Sequence, residues 1–326
     1  MMRALICKEY GTPDKLVIEQ IEDPVAGDGQ ILVAIKAAGI NFGDVLTVAG
    51  TYQVKPPTPF VPGIEAAGVI KALGPGVDEF SVGDSVMVTT SLGAFAEKCV
   101  VDQATVTSVL PGLDFAQAAG FNITYCTTIH AFRQGTRLEA GETLLVLGAA
   151  GGVGIAAVEI GKALGARVIA AASSAEKLDF ARRAGADELI NYTKTPLRNA
   201  IKELTDGKGI DVVYDPVGGE LAELAMRSLA WRGRHLIIGF ASGDFPAFPA
   251  NIALLKEAQL IGVYWGGWAR RERELQAVNL AEMAELIKAG KLSPEVTEKH
   301  SLDNFAAAFD AITSRRAMGK VVLTMD

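Results

Sequence analysis

The spacing of apolar residues changes character partway along the chain. Up to about residue 122, short apolar or alternating runs at 30–37, 63–72 and 85–88 are separated by glycine and proline turns. This pattern is typical of a small twisted β-barrel or sandwich. Helices are predicted near 115–120 and over 127–135. The first third of the chain is therefore expected to be a β-rich domain.

Beyond residue 140, apolar runs of strand length alternate with stretches of helical period. The predicted strands are 143–147, 167–172, 188–192, 210–214, 235–239 and 259–264, and the predicted helices between them include 175–184, one starting at Thr195-Pro196, and 219–230. Such alternation implies right-handed crossovers and a parallel sheet covered on both faces. We therefore predict an α/β protein with a doubly wound parallel six-strand Rossmann domain.

The C-terminal part predicts helices over 275–289 and 304–312 and a last strand over 320–324. We expect this tail to pack on the N-terminal domain. The predicted domains are 1–122 together with 268–326, and 123–267.

The strand predicted at 143–147 leads into glycines 148, 151, 152 and 154, and a helical period follows from Val153. In the G-x-G-x-x-G pattern of dinucleotide sites, Ala149 takes the first place and Gly151 and Gly154 the other two. A glycine triplet alone also fits a plain strand-turn-helix. A second apolar strand ends at Ser173-Ser174 about twenty residues later, which is the expected distance to a ribose-recognising residue. The combination predicts a dinucleotide site.

The residues after this second strand bear on the choice of cofactor. No acid ends the strand, and Lys177 follows Ser174 by three positions. Hydroxyl and ammonium groups suit a 2′-phosphate, whereas a carboxylate would repel it, so NADPH is favoured over NADH. In a second interpretation Ser173 caps a helix and forms a capping box with Glu176. The two interpretations are compatible.

Composition restricts the partners. The formal net charge is −7 and Lys and Arg are scattered, which argues against nucleic acid or an anionic membrane as partner. The longest uncharged apolar stretch, 143–158, is interrupted by glycines and is too short for a membrane helix. The first ten residues lack the apolar core of a signal peptide, so a cytoplasmic protein is expected. Cys7, Cys99 and Cys126 are too scattered for a disulfide framework, and His235, in an apolar strand, is interpreted as a core histidine.

The whole chain resembles the medium-chain dehydrogenase/reductase superfamily, and within it the zinc-independent NADPH:quinone oxidoreductases of the zeta-crystallin-like branch. The motifs that carry this resemblance are AAGINFGD at 37–44, PGIEAAG at 62–68, AAGGVG at 149–154, DPVGG at 215–219, Gly239-Phe240 and MGK at 318–320. The resemblance implies a GroES-like β-rich catalytic domain beside the Rossmann domain. One departure is Glu159, where the branch usually has Gln.

The resemblance also implies a reaction without metal. Zinc-dependent relatives carry Cys where this chain has Asn41 and His where it has Ile64, and they insert a cysteine-rich lobe that this sequence lacks. Without these ligands no Lewis acid polarises an alcohol or aldehyde oxygen. We therefore expect a hydride transfer to an electron-poor acceptor such as a quinone.

Site residues follow from the resemblance. Those implied for the acceptor and nicotinamide pocket are Asn41, Asp44, Tyr52 and Thr127. Those implied for the cofactor are Ala150, Gly151, Gly152, Val153, Gly154, Ser173, Ser174, Lys177, Tyr192, Val217, Gly239, Phe240, Val263, Tyr264, Arg316 and Lys320. Without the resemblance, Asn41 would be interpreted as a turn residue and Tyr52 as a partly buried aromatic.

Two other functions stay open at this point. One is NADPH-dependent reduction of an activated carbon-carbon double bond in an enal, enone or enoyl thioester. The other is a non-catalytic NADPH-binding role. The resemblance and the sixth strand at a sheet edge lead us to expect a homodimer.

Overall fold

The computed structural model describes residues 1–325. Two compact units make up the chain: unit 1 contains Met1–Ile123 and Pro294–Asp326, and unit 2 contains Thr124–Ser293.

The elements are as follows, in chain order. Unit 1 begins with β1 (Met2–Ile6), β2 (Val17–Ile21), β3 (Gln30–Ile40), α1 (Phe42–Val48), β4 (Glu65–Leu73), β5 (Ser85–Thr89), β6 (Lys98–Asp102), β7 (Val106–Ser108) and α2 (Phe115–Ala119). Unit 2 contains α3 (Thr127–His130), β8 (Thr143–Leu147), α4 (Gly152–Ala163), β9 (Arg167–Ala172), α5 (Ala175–Arg183), β10 (Glu188–Asn191), α6 (Leu197–Leu204), β11 (Ile210–Asp215), α7 (Gly219–Arg227), β12 (Leu229–Ile237), α8 (Ala250–Lys256), β13 (Gln259–Gly262), α9 (Trp265–Ala269) and α10 (Arg273–Lys288). The chain returns to unit 1 with β14 (Val296–Ser301), α11 (Phe305–Thr313) and β15 (Lys320–Thr324).

Unit 1 is the predicted β-rich domain. Its main sheet has the order β14-β15-β3-β4-β5-β7, with β6 also paired to β3, and β1 and β2 form a separate hairpin. Alternate residues of β3, Ile31, Val33 and Ile35, are buried in its core. The last strand β15 runs antiparallel to β3, with Val321 opposite Ile40. The C-terminal tail therefore does pack on the N-terminal part of the chain, as predicted.

Unit 2 contains a six-stranded parallel sheet in the order β10-β9-β8-β11-β12-β13. This order confirms the doubly wound prediction. It reverses between β8 and β11, and ligands of such sheets bind beyond the carboxyl ends of the strands at that point. Residues 144–147 of β8 are fully buried, in keeping with a central strand covered on both faces.

The short helix α1 has no counterpart among the predicted elements. It is stabilised at its start by two hydrogen bonds: the backbone N–H of Asn41 donates to Asp44 Oδ2 at 2.8 Å, and the backbone N–H of Asp44 donates to the Asn41 carbonyl at 3.0 Å. Seven residues are too few for a helical period to stand out in the sequence.

The stretch predicted as a helix over 127–135 is helical throughout, but only its first part is an α-helix. Helix α3 ends at His130, and wider π-helical turns precede and follow it at Asn122–Cys126 and Ala131–Gly135. Apolar spacing does not reveal where an i→i+5 bond, such as that from Thr136 N to Ala131 O, replaces an i→i+4 bond.

The helix predicted over 219–230 is too long, because Leu229 already pairs with Ile210 as the first residue of β12. Pro196, predicted inside the first turn of a helix, instead lies at the cap position before α6.

The second boundary of unit 2 follows Ser293, later than the predicted residue 268. Helix α10 accounts for the difference, because it packs within unit 2. Gln134 and Asn279 exchange two amide hydrogen bonds of 3.0 and 3.1 Å, and Arg133 forms an ion pair with Glu282. These pairs join residues that are far apart in the chain, and a local sequence pattern cannot predict such contacts. None of the helices among the described residues is both long and apolar enough to cross a membrane.

Candidate functional site

The glycine turn in unit 2 has the geometry of a phosphate cradle. Strand β8 ends at Leu147, Gly148 has a φ of +58°, and Gly151 caps α4 and donates its N–H to the Gly148 carbonyl at 3.0 Å. A Cβ on Gly154 would lie 2.2 Å from the Gly148 oxygen. Only glycine at that position lets the helix approach the turn so closely.

The start of α4 is suited to an anion. The first N–H groups of a helix have no acceptor within it, and the first turn of α4 contains no acidic residue. Gly151, Gly152 and Val153 are half-buried, so this helix end stays accessible, whereas Ala150 and Gly154 are buried beneath it. The five residues predicted to hold the pyrophosphate thus lie together.

Strands β9 and β10 end side by side, which brings the predicted ribose-recognising residues together. Tyr192 N–H donates to the Ala172 carbonyl at 3.3 Å, and the Thr193 hydroxyl donates to the Ser173 carbonyl at 3.3 Å. Ser173 and Tyr192 therefore lie side by side, just beyond the carboxyl ends of β9 and β10.

Ser174, not Ser173, is the cap of α5. Its Oγ accepts a hydrogen bond from the Lys177 backbone N–H at 3.3 Å. The predicted capping box of Ser173 and Glu176 is therefore wrong by one residue, because the helix begins at Ala175. Ser173, Ser174 and Lys177 are half-buried.

Arg316, predicted for the same end of the cofactor, belongs to unit 1. There its exposed guanidinium donates to Asp310 Oδ2 at 2.7 Å. Its role stays a prediction.

The carboxyl ends of β11, β12 and β13 carry the remaining predicted cofactor residues of unit 2. Val217 adjoins the glycine turn, since a Cβ on Gly148 would lie 3.0 Å from Val217 Cγ2. Gly239 N–H donates to the Asp215 carbonyl at 3.3 Å, and Val263 N–H donates to the Ile237 carbonyl at 3.0 Å.

Two of the predicted cofactor residues beyond these strand ends are aromatic. Phe240 packs edge-to-face on Phe245 with ring centroids 4.7 Å apart, and Tyr264, beyond the end of β13, is 65% exposed.

In unit 1, four polar side chains form a buried cluster. Asn41 Nδ2 donates to Glu65 Oε1 at 2.9 Å, and Lys320 Nζ donates to both Asn41 Oδ1, at 2.6 Å, and Glu65 Oε1. Glu65 Oε2 accepts from the backbone N–H of Ile123 at 3.0 Å. Lys320 and Glu65 are 6% and 1% exposed, so this is a fully enclosed ion pair.

Asp44 is the fourth member of the cluster and is 1% exposed. Burial raises the pKa of its carboxyl to about 7, against the opposing effects of the Asn41 hydrogen bond and the Lys320 charge. Tyr52 lies close by, because a Cβ on Gly43 would be 3.8 Å from its Cζ and Oη atoms. Of the residues predicted for the acceptor pocket in unit 1, Tyr52 and Asn41 are half-buried and Asp44 is enclosed.

Thr127, the fourth predicted pocket residue, is the half-buried first residue of α3 in unit 2. Its neighbours are anchored. The Thr128 hydroxyl lies 2.8 Å from the Tyr214 hydroxyl, and the Tyr125 hydroxyl donates to Glu159 Oε2 at 2.7 Å. Glu159, which stands where the branch usually has Gln, is thus hydrogen-bonded to Tyr125.

Sequence reasoning did not single out Glu65 or Asp215. Their signal was a carboxylate at one end of a strand, next to apolar residues, which marks a buried and therefore partnered charge. His235 is fully buried, as predicted for a core histidine, and Asp215 is its partner at 2.9 Å.

Among the described residues, no three His, Cys, Asp or Glu side chains are grouped so that they could hold a metal ion. Independence of zinc stays a prediction.

Comparison with known proteins defines the family. Residues 27–132 match the alcohol dehydrogenase GroES-like domain family, and residues 152–283 match the zinc-binding dehydrogenase family. Over 325 residues the chain is 38% identical to the quinone oxidoreductase-like protein 2 homolog of Nematostella vectensis, covering 98% of this chain and 88% of that protein. Over 321 residues it is 35% identical to the quinone oxidoreductase of Pseudomonas aeruginosa, covering 96% and 97%.

Among solved structures, Escherichia coli quinone oxidoreductase complexed with NADPH matches with a TM-score of 0.92 and 29% identity, covering 99% of this chain and 100% of that one. The fold and these relatives define an oxidoreductase built from a GroES-like unit and a Rossmann unit. The chain belongs to the medium-chain dehydrogenase/reductase superfamily, in its quinone oxidoreductase branch.

Proposed function

We propose that this protein transfers a hydride from NADPH to a quinone without a metal ion. The observation that carries the proposal is the glycine turn before α4, where Gly154 lets the helix N-terminus approach the end of β8. A dinucleotide pyrophosphate fits such a site because backbone N–H groups and the helix dipole favour a negative charge.

The residues after β9 support NADPH rather than NADH. Ser174 and Lys177 stand where an NAD enzyme has an acid that accepts the ribose 2′-hydroxyl. An ammonium group and hydroxyls favour the 2′-phosphate of NADPH. The Escherichia coli relative was crystallised with NADPH.

When bound, NADPH supplies the hydride. The chain's own task is to bind and orient: the start of α4 would hold the pyrophosphate, and Val217 and Thr127 would border the nicotinamide. A quinone needs little polarisation, because the charge it gains spreads over an aromatic hydroquinone anion. In this proposal Tyr52 donates one neutral hydrogen bond to the acceptor oxygen, and Asn41 and Asp44 hold α1 and the adjoining chain in place.

The test is to follow NADPH oxidation with a small ortho- or para-quinone and with an enone. The variants are Gly154→Ala and, as a matched control, Gly266→Ala, because a Cβ at Gly266 has no atom within 4 Å. We expect quinone-dependent oxidation by the parent and the control, and loss of NADPH binding in Gly154→Ala. Turnover of the enone with an inert quinone would instead assign reduction of activated double bonds. NADPH binding without turnover of any acceptor would assign a non-catalytic role.

Metal independence has its own measurement. The proposal expects no stoichiometric zinc in the purified protein and full activity after chelation, since Asn41 and Ile64 stand at two ligand positions of the zinc-dependent relatives. Zinc that is lost together with activity would contradict it.

We also propose a homodimer paired through β13. This strand ends the parallel sheet of unit 2, Leu260 on it is 41% exposed, and Trp231 on the neighbouring β12 is 64% exposed. An edge strand with apolar side chains readily pairs with a second copy. Sedimentation should give a dimer for the parent and a monomer for Leu260→Lys; a parent monomer would refute the pairing.

A further inference from the structure

Asp215, the last residue of β11, and His235, two residues before the end of the adjacent β12, form a buried pair. Their exposures are 1% and 0%. His235 Nε2 lies 2.9 Å from Asp215 Oδ2, and because an ionised carboxylate can only accept, Nε2–H is assigned as the donor. Asp215 Oδ1 accepts from the backbone N–H groups of Val217 and Gly218, both at 2.9 Å. One enclosed carboxylate therefore receives three N–H donors.

The loop 216–218 is tied down on both sides by this arrangement. Asp215 binds one side of the loop, and the chain that follows β12 is hydrogen-bonded to the other side. There Ala241 N–H donates to the Pro216 carbonyl at 3.0 Å, and Ser242 N–H donates to the Val217 carbonyl at 2.9 Å. The loop in turn places Val217 against Gly148 of the glycine turn.

A buried imidazole at this position lowers the stability of the fold unless its hydrogen bond to Asp215 compensates. Its Nδ1 is buried and has no hydrogen-bond partner among the described residues, and the edge of the ring meets Phe248 at a centroid distance of 5.0 Å. An unpartnered nitrogen is disfavoured in such surroundings, and an apolar side chain would avoid that cost. What the ring contributes in return is the Nε2–H donor to Asp215.

We propose that His235 and Asp215 are positioning residues for NADPH: they hold loop 216–218 so that Val217 forms a fixed wall beside the glycine turn. This inference rests on the proposed function and deepens it. The loop follows β11, whereas Ser174 and Lys177 follow β9, and β8 with the glycine turn lies between these two strands. Because the loop is distant from the residues expected to contact the 2′-phosphate, His235 and Asp215 should affect the binding of NADPH and NADH equally.

The experiment compares His235→Leu, which removes the donor, with His235→Gln, whose amide N–H reaches the position of Nε2. Dissociation constants of NADPH and NADH are measured by the fluorescence of the bound cofactor, alongside the KM of the quinone. The control is Ile169→Val, a fully buried position in the same sheet that makes no bond to the loop. Urea unfolding of every variant confirms that it is folded.

For His235→Leu we expect dissociation constants of both cofactors to rise about tenfold, as for loss of one charge-assisted hydrogen bond. For His235→Gln and Ile169→Val they should stay within about threefold of the parent, and the KM of the quinone should not change. Equal affinities in both His235 variants, or a loss confined to NADPH, would overturn the inference. A parent that binds neither cofactor would overturn the proposed function itself.

A second measurement does not depend on the variants folding. The ¹⁵N chemical shifts of His235 in the full-length parent report which ring nitrogen carries the proton. The inference requires a protonated Nε2. A ring protonated only on Nδ1 would remove the donor to Asp215 and overturn the inference directly.

Discussion

Lys320 donates a hydrogen bond to Asn41 Oδ1 across 2.6 Å, although 279 positions separate the two residues in the chain. With Nδ2 of the same amide donating to Glu65, the Asn41 carboxamide is oriented by two charged partners. Its bonds are directed into the protein, so Asn41 is held as the cap of α1. The contact of Asn41 with the acceptor or with the carboxamide of the nicotinamide, which the family resemblance implies, stays a prediction.

Removing the cation from this enclosed cluster should be costly. Lys320→Met leaves the Glu65 carboxylate buried without its ion-pair partner, and we expect the free energy of unfolding to fall by about 3 to 5 kcal/mol. Urea unfolding at neutral pH measures the change.

The matched control for that variant is the double substitution Lys320→Met with Glu65→Gln. Neutralising the carboxylate removes the uncompensated charge, so the double variant should recover at least half of the loss. Strictly additive losses from the two substitutions would show that the residues do not act as a pair.

The stability of the protein should depend on Asp44 below neutral pH. Burial raises the pKa of this carboxyl from its usual 3.8 to about 7 in the folded protein. A carboxyl with a raised pKa stabilises the fold while protonated, and this contribution is lost as pH rises from about 4 to about 7.

Asp44→Asn mimics the protonated carboxyl and keeps an oxygen to accept from the Asn41 backbone. We expect its free energy of unfolding to match that of the parent at about pH 4 and below, and to exceed it at pH 8 by about 1 to 4 kcal/mol. Parallel urea titrations over this range provide the comparison. A parent that gains stability relative to the variant as pH rises would show that the Asp44 pKa is depressed.

Lys177→Ala should change cofactor preference. A charge-assisted contact to the 2′-phosphate contributes about 1.5 to 3 kcal/mol, so NADPH should bind roughly tenfold or more weakly while NADH is almost unaffected. Lys202→Ala, an exposed position on α6, is the control. An equal loss for both cofactors would mean that Lys177 does not contact the phosphate.

Tyr52→Phe should leave quinone turnover within about tenfold of the parent, since one neutral hydrogen bond contributes about 1 kcal/mol. Reduction of an enone forms an enolate that must be protonated on carbon, and there a positioned donor should matter far more. The kcat on both acceptors is compared with that of Tyr10→Phe, whose hydroxyl donates to the Pro56 carbonyl. A hundredfold fall on the quinone would make Tyr52 an essential acid.

Local signals sufficed to predict the parallel sheet and the dinucleotide turn of unit 2. The fully apolar run of β8, the glycines that follow it and the helical period of α4 are each encoded within a few neighbouring residues, and the alternation of strands and helices implies right-handed crossovers and a parallel sheet. The absence of an acid after β9 is likewise a local feature, so the preference for NADPH could be predicted from the residues themselves. The glycine at 154 was expected for the same reason, and the structure adds the distance that makes it necessary.

By itself, then, the sequence determined the fold class, the dinucleotide turn and the family. Only the tertiary structure decided which polar residues meet: Lys320 with Asn41 and Glu65, and His235 with Asp215. It also decided that α10 belongs to unit 2. The physical reason is that periodicity records which face of an element is buried, whereas a hydrogen bond between distant residues depends on strand order and register.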